Sequence, residues 1–211
     1  MGYYNSIKDV NTFLSSIGYL KEYLRVYDEK DIILFNSRSK APLNILSNFW
    51  QSSVPLPWRG LYFHCVESII IYSYISDNLN IPEIRKQKEN VLNMLLECKD
   101  GKEVKKNSEI QTLYRYTKEL ARAQKGEENY ALYSWKIACD AISVKYQLCP
   151  EFKELVNEIG RNKYFVENSH WRQVPFAGAL KVTDEKSQYY GKYIGVNSTG
   201  IAIQKCLEKN K

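Results

Sequence analysis

Between Phe35 and Glu67 the chain changes character twice, and any fold must accommodate both changes. The apolar run Ile32-Ile33-Leu34-Phe35 reads as a short buried strand. It gives way to a segment rich in Asn, Ser and Pro, where Pro42, Pro55 and Pro57 predict a loop from Ala41 to Gly60. Inside it lies Leu46-Ser47-Asn48-Phe49, a short polar step in apolar surroundings. The chain then enters Ile69-Ile70-Ile71-Tyr72 behind a single carboxylate, Glu67. This apolar run falls far short of the roughly 20 residues a membrane helix requires, so it predicts a buried helix, Glu67 to Ser76. An acid at the head of such a helix is partly desolvated, which is how proteins prepare a base or a cation-stabilising group. The same position also suits an acid that only satisfies backbone donors and the helix dipole.

Around this centre the pattern is mostly helical. Ile7, Val10, Phe13, Leu14, Ile17, Leu20 and Leu24 recur in steps of three and four, predicting an amphipathic helix from Ser6 to Tyr27, broken near Gly18. Pro82 to Lys106 predicts an exposed helix with a stripe at Val91, Leu92, Met94 and Leu95, then a loop at Asp100-Gly101. Further helices are expected over Ile110–Lys125, Tyr130–Gln147, Glu151–Ile159 and Thr199–Glu208. Tyr164 to Glu167 reads as a strand, and Ala179–Val182 with Tyr190–Val196 as a small antiparallel pair. The expected class is a mainly helical α+β domain with a small antiparallel sheet.

Composition narrows the chemistry. A chain of 211 residues, 44% hydrophobic, can bury a substantial core. Seventeen tyrosines suit a site that stacks a flat ring, although codon bias would enrich Tyr as well. The five cysteines are odd in number and have no metal-knuckle spacing, so reduced thiols in a cytoplasmic protein are expected, with no membrane anchor. His64 stands three residues before Glu67, and Cys149-Pro150 has no second Cys nearby, so a zinc deaminase signature is excluded on spacing. No Walker loop or dinucleotide fingerprint occurs. The formal charge is +6. Lys102, Lys105, Lys106, Arg115, Lys118, Arg122 and Lys125 concentrate it in one stretch, which suits phosphate contacts or an ordinary solvated helix face.

The layout Phe35, Leu46-Ser47-Asn48-Phe49, Gly60, Tyr62 and Glu67 resembles the NADAR (YbiA-like) family of N-glycosidases. Later landmarks follow in order: Trp135 before a helix ending in Lys145-Tyr146, Phe165-Val166-Glu167, and Gly195-Val196-Asn197-Ser198-Thr199-Gly200. The resemblance spans Ile32 to Leu207, and because family members commonly start near Phe35 it implies residues 1–30 as an N-terminal helical extension and 31–211 as the main domain. It departs where Ser68 stands in place of the His common in the family, at Ile69 to Tyr74, which lacks the usual Lys, and between Trp171 and Gly178, which stand apart.

The resemblance implies a YbiA-like fold and cleavage of a ribosyl N-glycosidic bond without metal or other cofactor. It implies Glu67 as the carboxylate that stabilises the sugar cation or orients water, with Asn48 and Glu167 as catalytic companions. Phe49, Trp135, Lys145, Trp171, Asn197, Gly195 and Gly200 become the expected ligand contacts, and Lys102, Lys105, Lys106, Arg115, Lys118 and Arg122 the expected nucleic-acid contacts. The residues alone also admit plainer roles: Asn48 as a turn residue, Asn197 as a helix cap, the tryptophans as core. The implied substrate is ADP-ribosyl-guanine in DNA, expected single-stranded, as in the phage branch that reverses modification by the toxin DarT in the host cytoplasm. No obligatory protein partner is implied. Small phosphorylated ribosyl-amines of riboflavin synthesis, or non-catalytic binding of ADP-ribose or DNA, stay open as alternatives.

Overall fold

The protein is α+β and mainly helical. Its structure, a computed structural model, describes residues 6–16, 18–78, 80–168 and 177–208. The chain divides into two compact units, one made of 1–44 and 154–211, the other of 45–153.

The first unit opens with β1 (Ser6–Ile7), α1 (Val10–Ser16), a 3-10 turn over Gly18–Tyr23, β2 (Arg25–Tyr27) and β3 (Ile32–Phe35). The long amphipathic helix expected over 6–27 is thus confined to its middle. Its ends are strands because distant partners claim their backbone groups, Ser6 lying opposite Lys181 and Arg25 opposite Gly195. These strands are built into the sheet of this unit, so 1–30 is no separate helical extension there.

The second unit begins with a hairpin of β4 (Leu56–Trp58) and β5 (Leu61–Phe63) inside the stretch expected as loop. Arg59 and Gly60 both take positive φ, 49° and 82°. That is the backbone of a two-residue turn matched to strand twist, and it makes the hairpin possible. Next comes α2 (Val66–Ser76), with Ile69, Ile71, Tyr74 and Ile75 nearly inaccessible. It packs against α3 (Pro82–Glu97), α4 (Gly101–Lys106), α5 (Ser108–Lys125) and α6 (Glu127–Leu148). Neighbours on so many sides explain why α2 needs apolar residues all round. Asp100-Gly101, expected as a loop, starts α4: the Asp100 carboxylate accepts from the N–H groups of Lys102 and Glu103, at 2.8 and 2.9 Å. Gly126 separates α5 from α6 at φ 74°.

Helix α7 (Pro150–Ile159) carries the chain back into the first unit. There β6 (Tyr164–Glu167) pairs in parallel with β3 over its whole length. β7 (Leu180–Val182) and β8 (Tyr193–Gly195) form the expected antiparallel pair. They sit inside a four-stranded sheet ordered β1-β7-β8-β2, in which β1 runs parallel to β7. The sheet is therefore mixed, and it is larger than the pair alone. Ile7, Val10, Phe13, Leu180, Val182 and Ile194 form its core on one side. The terminal helix α8 (Ser198–Glu208) packs on β6.

Candidate active site around Glu67

Glu67 lies in the first turn of α2, and its residue exposure is only 8%. Its backbone N–H donates to the Asn48 carbonyl at 3.1 Å. Its Oε1 lies 3.5 Å from the Lys105 ammonium. Lys105 in turn sits 5.3 Å above the Phe49 ring. The acid, the polar step and one of the expected nucleic-acid lysines therefore converge in a single place within the second unit.

Backbone packing explains this convergence. The Gly101 N–H donates to the Phe49 carbonyl at 2.9 Å. A Cβ on Gly101 would lie 2.7 Å from both the Cα and Cδ1 of Phe49. Only glycine lets α4 approach the polar step this closely. One helical turn later Lys105 emerges on the same side. The composition gave no warning of this, since Asp100-Gly101 reads as an ordinary turn.

The polar step is held from below by Lys145 on α6. This residue is 1% exposed, and its ammonium donates to the carbonyls of Ile45 at 2.6 Å and Ser47 at 3.0 Å. The rings of Trp50 and Phe152 flank it at 5.2 and 4.4 Å. Burial pushes this amine down from 10.5 to about 7. Lys145, an expected ligand contact, instead anchors the loop that carries Asn48 and Phe49. Asn48 is itself buried, and Trp135 is half-buried on α6.

Cys65, immediately before α2, is buried with its Sγ 3.2 Å from the Ser68 hydroxyl. Burial pushes the thiol up to about 11, the wrong direction for a nucleophile at neutral pH. Ser68 thus serves to partner this thiol. Among the described residues no group of three or more His, Cys, Asp or Glu could hold a metal ion.

Beyond Glu67 extends a tyrosine cluster. Tyr114 on α5 meets Tyr74 of α2 edge-on at 5.5 Å, and Tyr74 also packs on Tyr130 and Tyr133 of α6. Burial raises the Tyr114 hydroxyl well above its usual range, and the negative charge of Glu67 adds to the effect. Three of the basic residues cover these rings: Lys118 over Tyr114 at 5.1 Å, Arg122 over Tyr130 at 4.9 Å and Lys125 over Tyr133 at 4.8 Å. Arg115, Lys118, Arg122 and Lys125 are spaced to share one face of α5, beside the buried face filled by Ile110, Leu113, Thr117 and Ala121. Lys102 and Lys106 are exposed on α4.

The remaining expected residues belong to the first unit. The Asn197 side chain is fully engaged: its amide donates to the Phe165 carbonyl at 2.8 Å and the Tyr27 hydroxyl at 3.1 Å, and its oxygen accepts from the Glu167 N–H at 3.1 Å. It ties the end of β8 to β6 and Tyr27, which is a different task from gripping a ligand. Gly195 and Gly200 have an equally structural reason, since an added Cβ would meet the Gly178 carbonyl at 2.1 Å and the Phe165 carbonyl at 2.0 Å. Glu167 is half-buried at the end of β6. Trp171 lies outside the described residues.

No protein-family model matches the chain, and no curated protein matches it.

Proposed function

We propose that the protein is an N-glycosidase that removes ADP-ribose from a modified nucleobase, acting on ADP-ribosyl-guanine in single-stranded DNA and so reversing DarT-type modification. The observation that carries this reading is a nearly buried carboxylate at the head of α2, held beside a lysine and next to the Asn48-Phe49 step. Cleavage of a ribosyl N-glycosidic bond develops positive charge on the sugar, and a desolvated carboxylate stabilises that charge strongly. Glu67 takes a proton from water as the water oxygen bonds to C1 of the ribose. The electron pair of the breaking C1–N bond leaves with the base, which is protonated on release. Asn48 and Phe49 line the approach, the amide suited to ribose hydroxyls and the ring to an apolar face.

The row of cations on α5 supports a polymeric substrate over a small ribosyl-amine phosphate. Such a row neutralises several phosphates. No helix among the described residues is long and apolar enough to cross a membrane; the cytoplasm, of a host cell in the case of a phage protein, is the proposed place of action.

The test is direct. The protein is incubated with ADP-ribosylated single-stranded DNA in the presence of a chelator, beside a Glu67→Gln variant. Release of ADP-ribose by the parent is expected, with kcat lowered by about a hundredfold or more in the variant. Equal rates for the two, or a parent that binds the DNA without turnover, would overturn the reading.

A further inference from the structure

We propose that Lys105 is the positioning residue of this site, holding the Glu67 carboxylate in place, and that the contact between Gly101 and Phe49 is what delivers it. The proposal rests on the glycosidase reading for its consequence in catalysis, and on geometry alone for the pairing itself.

The Glu67 side chain is only 10% exposed, and its Oε1 lies 3.5 Å from the Lys105 ammonium. Lys105 is 38% exposed at its side chain, and an untethered surface lysine would spend little time in one geometry. Here two restraints act on it. Its ammonium rests over the Phe49 ring. Its helix is capped by Asp100 and fixed to the Phe49 backbone through Gly101. Phe49 therefore touches both ends of the device: its carbonyl sets where α4 begins, and its ring sets where Lys105 ends. The Asn48 carbonyl, one residue earlier, receives the Glu67 N–H.

Other charges reach the same region. Tyr114 from α5 and Cys65 before α2 both lie in the field of Glu67 and are neutral at physiological pH, their ionisation pushed upward. From α6, Lys145 directs its charge onto Cys65 and Cys149. Among the described residues, Lys105 is the cation in ion-pair contact with the acid.

Lys105 also belongs to the basic segment expected to hold phosphates, and the two roles separate in kinetics. A phosphate contact affects KM and its salt dependence; a partner that positions Glu67 affects kcat. The experiment measures both constants for parent, Lys105→Met and Lys105→Arg with ADP-ribosylated single-stranded DNA. In parallel, the Glu67 carboxyl resonance of each protein is recorded at one neutral pH by carbon NMR on labelled glutamate, assigned by its loss in Glu67→Gln. For Lys105→Met the expected result is a fall in kcat of about tenfold or more, with KM little changed and the Glu67 resonance displaced. Lys105→Arg, which keeps the ion pair, should restore both.

A raised KM with unchanged kcat and an unmoved Glu67 resonance would overturn the proposal and leave Lys105 as a phosphate contact. A parent without turnover whose Glu67 resonance is still displaced in Lys105→Met would sink the glycosidase reading and uphold the pairing.

Discussion

Lys145 shows how one residue can be costly and necessary at once. Its ammonium is fully enclosed, yet it satisfies two carbonyls of the loop that carries Asn48 and Phe49. Removing it leaves those carbonyls without their donor; keeping it charged costs desolvation. The balance depends on pH. The amine is lowered to about 7 in the folded protein against 10.5 ordinarily, so between these values the unfolded chain binds more protons than the folded one. Stability must then rise with pH through this window and fall as pH drops toward 7. The Cys65 thiol, raised from 9.0 to about 11, instead binds its proton more tightly in the folded state, so its contribution to stability is lost as pH rises from 9 to 11, above the interval of the measurement. Urea denaturation at pH 7 and pH 9 is the measurement. The parent should gain stability over this interval relative to Lys145→Met, and parallel changes in the two proteins would contradict the assignment.

Among the elements, α4 has the largest consequence for its length. It is short, and its placement comes from a cap and one glycine. Gly101→Ala would drive a Cβ into the Phe49 backbone, where nothing can rotate away. An overpacking cost of about 1–3 kcal/mol is expected by denaturation. Activity should fall with it, because Lys105 would be displaced from Glu67. Asp100→Ala should cost less, about 1 kcal/mol, since it removes only the cap. A Gly101→Ala protein with parent stability and parent rate would show that α4 does not depend on this contact. Neither the start of α4 nor the hairpin of β4 and β5 was legible from local pattern. Asp-Gly and Arg-Gly both read as turns; one is a helix start selected by Phe49, the other a turn between strands only three residues long.

For the whole molecule, a net charge of +6 is modest, and what matters is where it lies. If the cations on α5 hold phosphates, DNA binding should weaken steeply with salt. Replacing Lys118 and Arg122 together by Gln should reduce the slope of log K against log salt by about 1.4, about 0.7 for each phosphate no longer neutralised. An unchanged slope would leave Lys118 to the Tyr114 ring, and Arg122 to the Tyr130 ring and its ion pair with Glu127 at 3.1 Å. The elements that local pattern fixes are those long enough to carry their own signal. The strands Ile32–Phe35 and Tyr164–Glu167 and the buried α2, α5, α6, α7 and α8 all follow from apolar runs, periodicity, Gly126 and Pro150. Such features depend on side chains near one another along the chain, so the order of amino acids is enough to specify them, along with an acid at the head of the buried helix. The choice of partners came from long-range packing. Strands as short as Ser6–Ile7 exist only because Lys181 and Val182 lie beside them. The pairing of Glu67 with Lys105 depends on a glycine that lets two backbones meet across a gap in sequence, and no local pattern records which segments will touch.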